Sequence, residues 1–186
     1  RHEETGARQF TGRAVLTAAP GQRVRADQPA NGSWLEAREL VMADIDALEP
    51  SQWRRVAVAR GEVRGLLKNP TPDEDAPKPG HRKGSSLPRP DRFSISGDTL
   101  KVVLTAKQSR EQNPDSAGPL SGRVETLVLR GSTTEPAALQ AEPGGFSAHA
   151  ASIAYDPNSG QGSLRSSPGV RPALRRGNDH LSAESI

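Results

Sequence analysis

Four short segments of the chain share one pattern: an apolar residue, Ala or Gly two positions later, and an aliphatic residue three after that. They are Leu35-Glu36-Ala37-Arg38-Glu39-Leu40, Ile95-Ser96-Gly97-Asp98-Thr99-Leu100, Ala148-His149-Ala150-Ala151-Ser152-Ile153 and Leu181-Ser182-Ala183-Glu184-Ser185-Ile186. In three of them the apolar positions also change parity. Phe93, Ile95 and Gly97 fall on odd positions and are followed by Leu100, Val102 and Leu104 on even ones. Phe146, Ala148 and Ala150 hand over to Ile153 and Tyr155, and Leu35 and Ala37 to Leu40 and Met42. Alternation with period two belongs to a half-buried strand. An extra residue that shifts the parity marks a bulge or sharp bend, and a small side chain there relieves crowding.

A second kind of segment falls between these. Val56-Ala57-Val58-Ala59-Arg60-Gly61 lines up with Thr126-Leu127-Val128-Leu129-Arg130-Gly131, and shorter relatives occupy Ala14–Gly21 and Gly162–Gly169. The order along the chain is straight, bent, straight, bent. This predicts an antiparallel meander of about eight short strands, all β, bent at the small residues. Residues 69–91 and 107–122 are polar and read as surface loops with almost nothing to pack. A helical reading of Leu35 to Leu48 competes with the strand reading, and its likeness to Ile95–Leu104 favours strand.

Composition agrees with a thin β structure. Hydrophobic residues make up 33% and aromatics 3%, while Gly numbers 18 and Pro 16, which excludes a large globular core. The 25 Lys and Arg against 22 Asp and Glu leave +3, too small and too evenly spread to predict a nucleic-acid partner. With no cysteine, disulfides and thiolate chemistry are excluded. No apolar run approaches the ~18–20 residues that span a membrane as a helix. Arg1-His2-Glu3-Glu4 and Ile186 read as the cut ends of a longer chain.

Three features resemble the OstA-like repeats of the LptA–LptC family of periplasmic lipopolysaccharide-transport proteins. One is Phe146-Ser147-Ala148-His149-Ala150-Ala151-Ser152-Ile153-Ala154-Tyr155-Asp156, followed by Asn158-Ser159-Gly160 and Leu164. Another is Val124–Gly131, similar to the strand that precedes each unit of the family. The third is the Leu-x-x-x-Pro-Gly run at Leu16–Gly21 and Leu164–Gly169, leading to Leu35-x-Ala37 and Leu181-x-Ala183. The long insertion around Pro70–Pro90 and the Arg-rich, aromatic-poor make-up depart from the family pattern. The resemblance implies a folded-over sheet of jellyroll or taco shape with an apolar inner surface. It also implies a lipopolysaccharide-type or other acyl-chain ligand, a periplasmic or envelope location, and neighbouring domains of the same kind joined through open edge strands.

The groove candidates are Leu40, Met42, Ile95, Leu100, Val102, Leu104, Leu127, Leu129, Phe146, Ile153 and Tyr155. The competing reading of the same residues is an ordinary closed core, in which case the chain is a structural or adhesive repeat module. An accessory β domain of an enzyme is a third reading. Catalysis by this chain itself is not expected, and neither is a cofactor or metal. There is no G-x-S-x-G elbow, phosphate loop or dinucleotide fingerprint. Asp44 and Asp46 share a strand face but read as solvated carboxylates. His149 points away from the inner wall, and His2, His81 and His180 have no partner spacing. Lys78-Pro79-Gly80-His81-Arg82-Lys83 reads as a solubilising basic loop.

Overall fold

The structure is a computed structural model, and it describes residues 13–45, 52–69, 90–107, 120, 122–143, 145–177 and 179–182. These contain strands and turns and no helix. The strands are β1 (Arg13–Thr17), β2 (Val24–Gln28), β3 (Ser33–Ala37), β4 (Glu39–Ile45), β5 (Gln52–Lys68), β6 (Arg92–Lys107), β7 (Arg123–Arg130), β8 (Ala137–Glu142), β9 (Phe146–Ala150), β10 (Ser152–Asp156), β11 (Gln161–Arg165), β12 (Ala173–Arg176) and β13 (Asp179–Ser182). All belong to one 13-stranded antiparallel sheet, more and longer strands than the eight that the pattern predicts.

The sheet folds because two long strands change partners along their length. The first part of β5 pairs with β4, from Ile45↔Arg54 to Glu39↔Arg60, and its last part pairs with β3 around Leu35↔Gly65. β6 likewise pairs with β8 over Arg92–Ser96 and with β7 over Thr99–Thr105. One leaf is therefore β1-β4-β5-β6-β7-β10-β11, and the other is β2-β3-β5-β6-β8-β9-β12-β13. The crease runs through Arg38, Gly61-Glu62, Gly97-Asp98 and Ala151. The sheet does not close into a barrel; β1 and β11 end one leaf, β2 and β13 the other.

Each parity change in the sequence sits on this crease. Leu35 and Ala37 are buried before it and Leu40 and Met42 after it; the same holds for Ala148 and Ala150 before Ile153 and Tyr155. One strand departs from the reading. Val56–Gly61 is not a straight strand ending in glycine but the first half of β5, which bends there and continues to Lys68. Gly61 (φ 75°) and Glu62 (φ 52°) both lie in the left-handed region, and the β5–β6 register slips between Arg60 and Val63. The extra residue lets β5 keep its odd positions inward on both sides of the crease, Ala57 and Ala59 before it and Val63 and Leu67 after, while on β6 the inward set changes from odd to even. The strain of a non-glycine residue there is held by two ion pairs: Glu62 accepts from Arg23 at 2.5 Å and from Arg38. Hydrogen bonds from Arg23 and then Arg38 hold its carboxyl below the ordinary glutamate range.

The competing helical reading of Leu35 to Leu48 is displaced by β3 and β4 as far as Ile45; residues 46–48 lie outside the described residues. Much of both insertions does too, including Lys78–Lys83. Their described ends nevertheless pack. Leu120, 1% exposed, joins the apolar cluster, contrary to a purely polar second loop. Asn69 at the end of β5 is buried, and its Oδ1 accepts a hydrogen bond of 2.7 Å from the backbone N–H of Val124 on β7. That bond clips one leaf to the other. An amide side chain there satisfies a buried donor that would otherwise cost about 1–3 kcal/mol.

Candidate functional site

All eleven groove candidates face the space between the leaves. Ten are buried and belong to one apolar cluster; Phe146 is half-buried and packs against it. Near the crease the filling is complete. Leu40, Leu100, Val102, Leu127 and Leu129 are 0% exposed, interleaved with Ala57, Ala59, Ala137 and Ala150 at the same exposure. The alternation of leucine and alanine lets the two leaves approach closely.

Away from the crease the two ends of the fold differ. Towards the N-terminal edge strands the inner positions turn polar. Arg55 follows Ala57 and Ala59 in parity and faces Asp44 in the β4–β5 register. Its Nε donates to Asp44 Oδ1 at 2.7 Å, with the two side chains 11% and 25% exposed. Asp44 is thus an ion-pair partner of Arg55, while Asp46 lies outside the described residues. On the facing leaf Gln28 and Ser33 are buried, and Ser33 Oγ accepts from the Lys68 backbone N–H at 2.9 Å. These groups, with Asn69 and Leu120, close that part of the rim.

At the C-terminal edge the inner positions stay apolar but become small. On one leaf Ile153 pairs with Leu164 and Tyr155 with Gly162. On the other, Leu139 pairs with Ala148, which pairs in turn with Leu174, and Phe146 pairs with Arg176. Ala148 and Gly162 leave volume unfilled, and the result is a cleft of about 370 Å³ between the leaves. Phe146, Ile153, Tyr155, Leu164 and Leu174 form its apolar walls, Pro90 and the Pro157–Gly160 turn border it, and Arg176 stands at its rim. A side chain at position 162 would press on Tyr155 Cδ2 at 3.3 Å, so glycine keeps this wall thin.

Tyr155 ties the leaves together at the inner end of the cleft. Its ring meets Phe146 edge-on at 5.0 Å between centroids and Phe93 in a tilted contact at 6.0 Å. Such pairs add about 0.5–1.5 kcal/mol beyond the area they bury. Burial pushes the Tyr155 phenol above its ordinary range, Asp156 adds to this, and Arg176 partly offsets it. The Asp156 carboxylate turns instead into the following turn. It accepts from the Ser159 hydroxyl at 2.9 Å and the Asn158 backbone N–H at 2.7 Å, and these bonds hold it below the usual carboxylate range.

Of the sequence candidates, Phe146, Ile153 and Tyr155 line the cleft; the other eight lie deeper in the filled interior. The sequence reading missed Leu174, Leu139 and Arg176. Their strands, β12 and β8, are short and alanine- or arginine-rich, and only the small-residue alternation of Ala137, Leu139 and Ala141 carries a strand signal. His149 is exposed on the outer face, as its parity requires. Among the described residues no group of three or more His, Cys, Asp or Glu is placed to hold a metal ion, and no helix is long and apolar enough to cross a membrane. Compared with protein-family models, curated proteins and solved structures, the chain shows no significant match.

Proposed function

We propose that the chain binds an acyl-chain lipid of the lipopolysaccharide type between its leaves, as a bridge segment of an OstA-like transport system in the periplasm or cell envelope, without catalysing a reaction. The observation that supports this is the apolar cleft between Phe146, Tyr155, Leu164 and Leu174, continuous with the interior of a sheet that is folded but not closed. Each methylene taken into such a cleft contributes about 0.8 kcal/mol, so a few carbons suffice for binding. The same topology leaves β1, β2, β11 and β13 paired on one side only among the described strands. On β1, Val15 and Leu16 are 50% and 41% exposed, an apolar edge suited to pairing with a neighbouring domain.

A second reading has its own observation. Ten of the eleven candidates are buried against each other, which fits a structural repeat module whose core is simply closed. A photoreactive residue at Ile153 or Leu174 separates the two, with controls at the outward-facing His149 and Lys101. Lipid A crosslinked from the first pair alone is the expected result. Absence of crosslinks from any position, in protein that remains folded, leaves the closed module.

A further inference from the structure

We infer that the interior is a blind pocket, open at its C-terminal edge only, which takes the single chain of an anionic amphiphile tail-first and holds its head group at Arg176. This rests on the lipid-binding reading and narrows it, from a groove running through the sheet to one end of it and from lipids in general to one chemical class.

The blind end follows from what fills the rest. A chain sliding past Ile153 towards the N-terminal edge would have to displace Leu100, Leu127 and Leu129, all 0% exposed. Beyond them the rim is closed by polar groups already engaged with one another, the Arg55–Asp44 pair and the Asn69–Val124 bond. An alkyl chain offers nothing to replace those bonds, and leaving them unmade is costly. Capacity points the same way. The cleft, about 370 Å³, is small and ends at these filled layers, so it takes one alkyl chain end-on. Of a lipid with several acyl chains, one would enter.

The head group follows from charge. On β12, Arg176 shares the inward parity of Leu174 and lies opposite Phe146 in the register with β9 and opposite Asp179 in the register with β13, with which it forms no ion pair. Among the described residues it has no ion-pair partner, although it borders an apolar surface. Arg165 and Arg175 add positive charge at the same edge, where the carboxylates between residues 152 and 182 are Asp156 and Asp179. Asp156 is already taken up by Asn158 and Ser159. A guanidinium at the rim of an apolar cleft is a donor for an oxyanion, and such charge-assisted bonds are the stronger kind.

Isothermal titration with laurate and with dodecanol tests this on the whole chain, alongside Arg176→Gln and the matched control Arg175→Gln. Arg175 is exposed and has the outward parity. Expected are one laurate per chain, binding about tenfold weaker for dodecanol and for Arg176→Gln, and no change for Arg175→Gln. Equal binding of laurate and dodecanol, or no effect of Arg176→Gln, overturns the head-group assignment. More than one laurate per chain overturns the blind pocket. If laurate fails to bind while lipid A still crosslinks at Ile153, this inference falls and the lipid-binding reading stands; if both fail, both fall.

Discussion

Phe93→Ala is expected to destabilise the protein by about 3–5 kcal/mol. Phe93 is 0% exposed and sits in β6, flanked in register by Leu67 on β5 and Ala141 on β8. Its ring reaches Tyr155 on the other leaf. Deleting it removes the transfer energy of a large side chain and leaves a cavity that a neighbouring alanine cannot fill. A domain of this size is typically stable by about 5–15 kcal/mol in all, so the loss is a large part of the total. The cavity would also lie directly behind Tyr155 and deepen the cleft. Denaturant unfolding of Phe93→Ala beside Phe93→Leu measures this, with the leucine variant losing well under half as much. A loss below about 1 kcal/mol for alanine would mean that the leaves do not pack on each other here.

Gly97→Val is expected to cost about 3 kcal/mol, at the upper end for overpacking. The backbone conformation at Gly97 is one that any residue adopts, so the penalty is steric. A Cβ there would stand 2.7 Å from the carbonyl oxygen of Arg130 and 3.1 Å from Leu129 Cδ1. This is where β6 leaves β8 and takes up β7, and the carbonyl belongs to the backbone of the new partner, which cannot swing aside as a side chain would. Ser96→Val, one residue earlier on the exposed outer face, supplies the control and is expected to change stability by less than about 0.5 kcal/mol. Equal midpoints for the two variants would remove the crowding account of the crease.

The crease was legible because small residues and parity changes are local signals. Ala37, Gly97 and Ala150 each stand beside a fold line, and Gly131, where a Cβ would meet the Ala137 backbone nitrogen at 2.5 Å, lies at the turn between β7 and β8. What escaped was long-range. Nothing near Gly61 distinguishes a strand end from a bulge. The difference is made by Arg38 and Arg23, which are distant in sequence and pair with Glu62. Arg55 shares the inward parity of Ala57 and Ala59, and only the β4–β5 register shows that Asp44 stands opposite to pair with it. The candidate wall was found from strand periodicity. Periodicity gives the face of a residue and says nothing of whether the facing leaf fills the space. Filling depends on which small residues meet across the fold, and Ala148 opposite Gly162 and Leu164 is a tertiary fact.

The central claim is that the interior of the folded sheet opens at the C-terminal edge and receives an acyl chain there. Methyl NMR of the Ile-, Leu- and Val-labelled protein, titrated with laurate, tests it most directly. The account predicts shifts at Ile153, Leu139, Leu164 and Leu174, which line the cleft, and none at Leu40, Val102 or Leu127, which lie in the filled interior. Shifts spread evenly through both groups, or no shift in either, would contradict it.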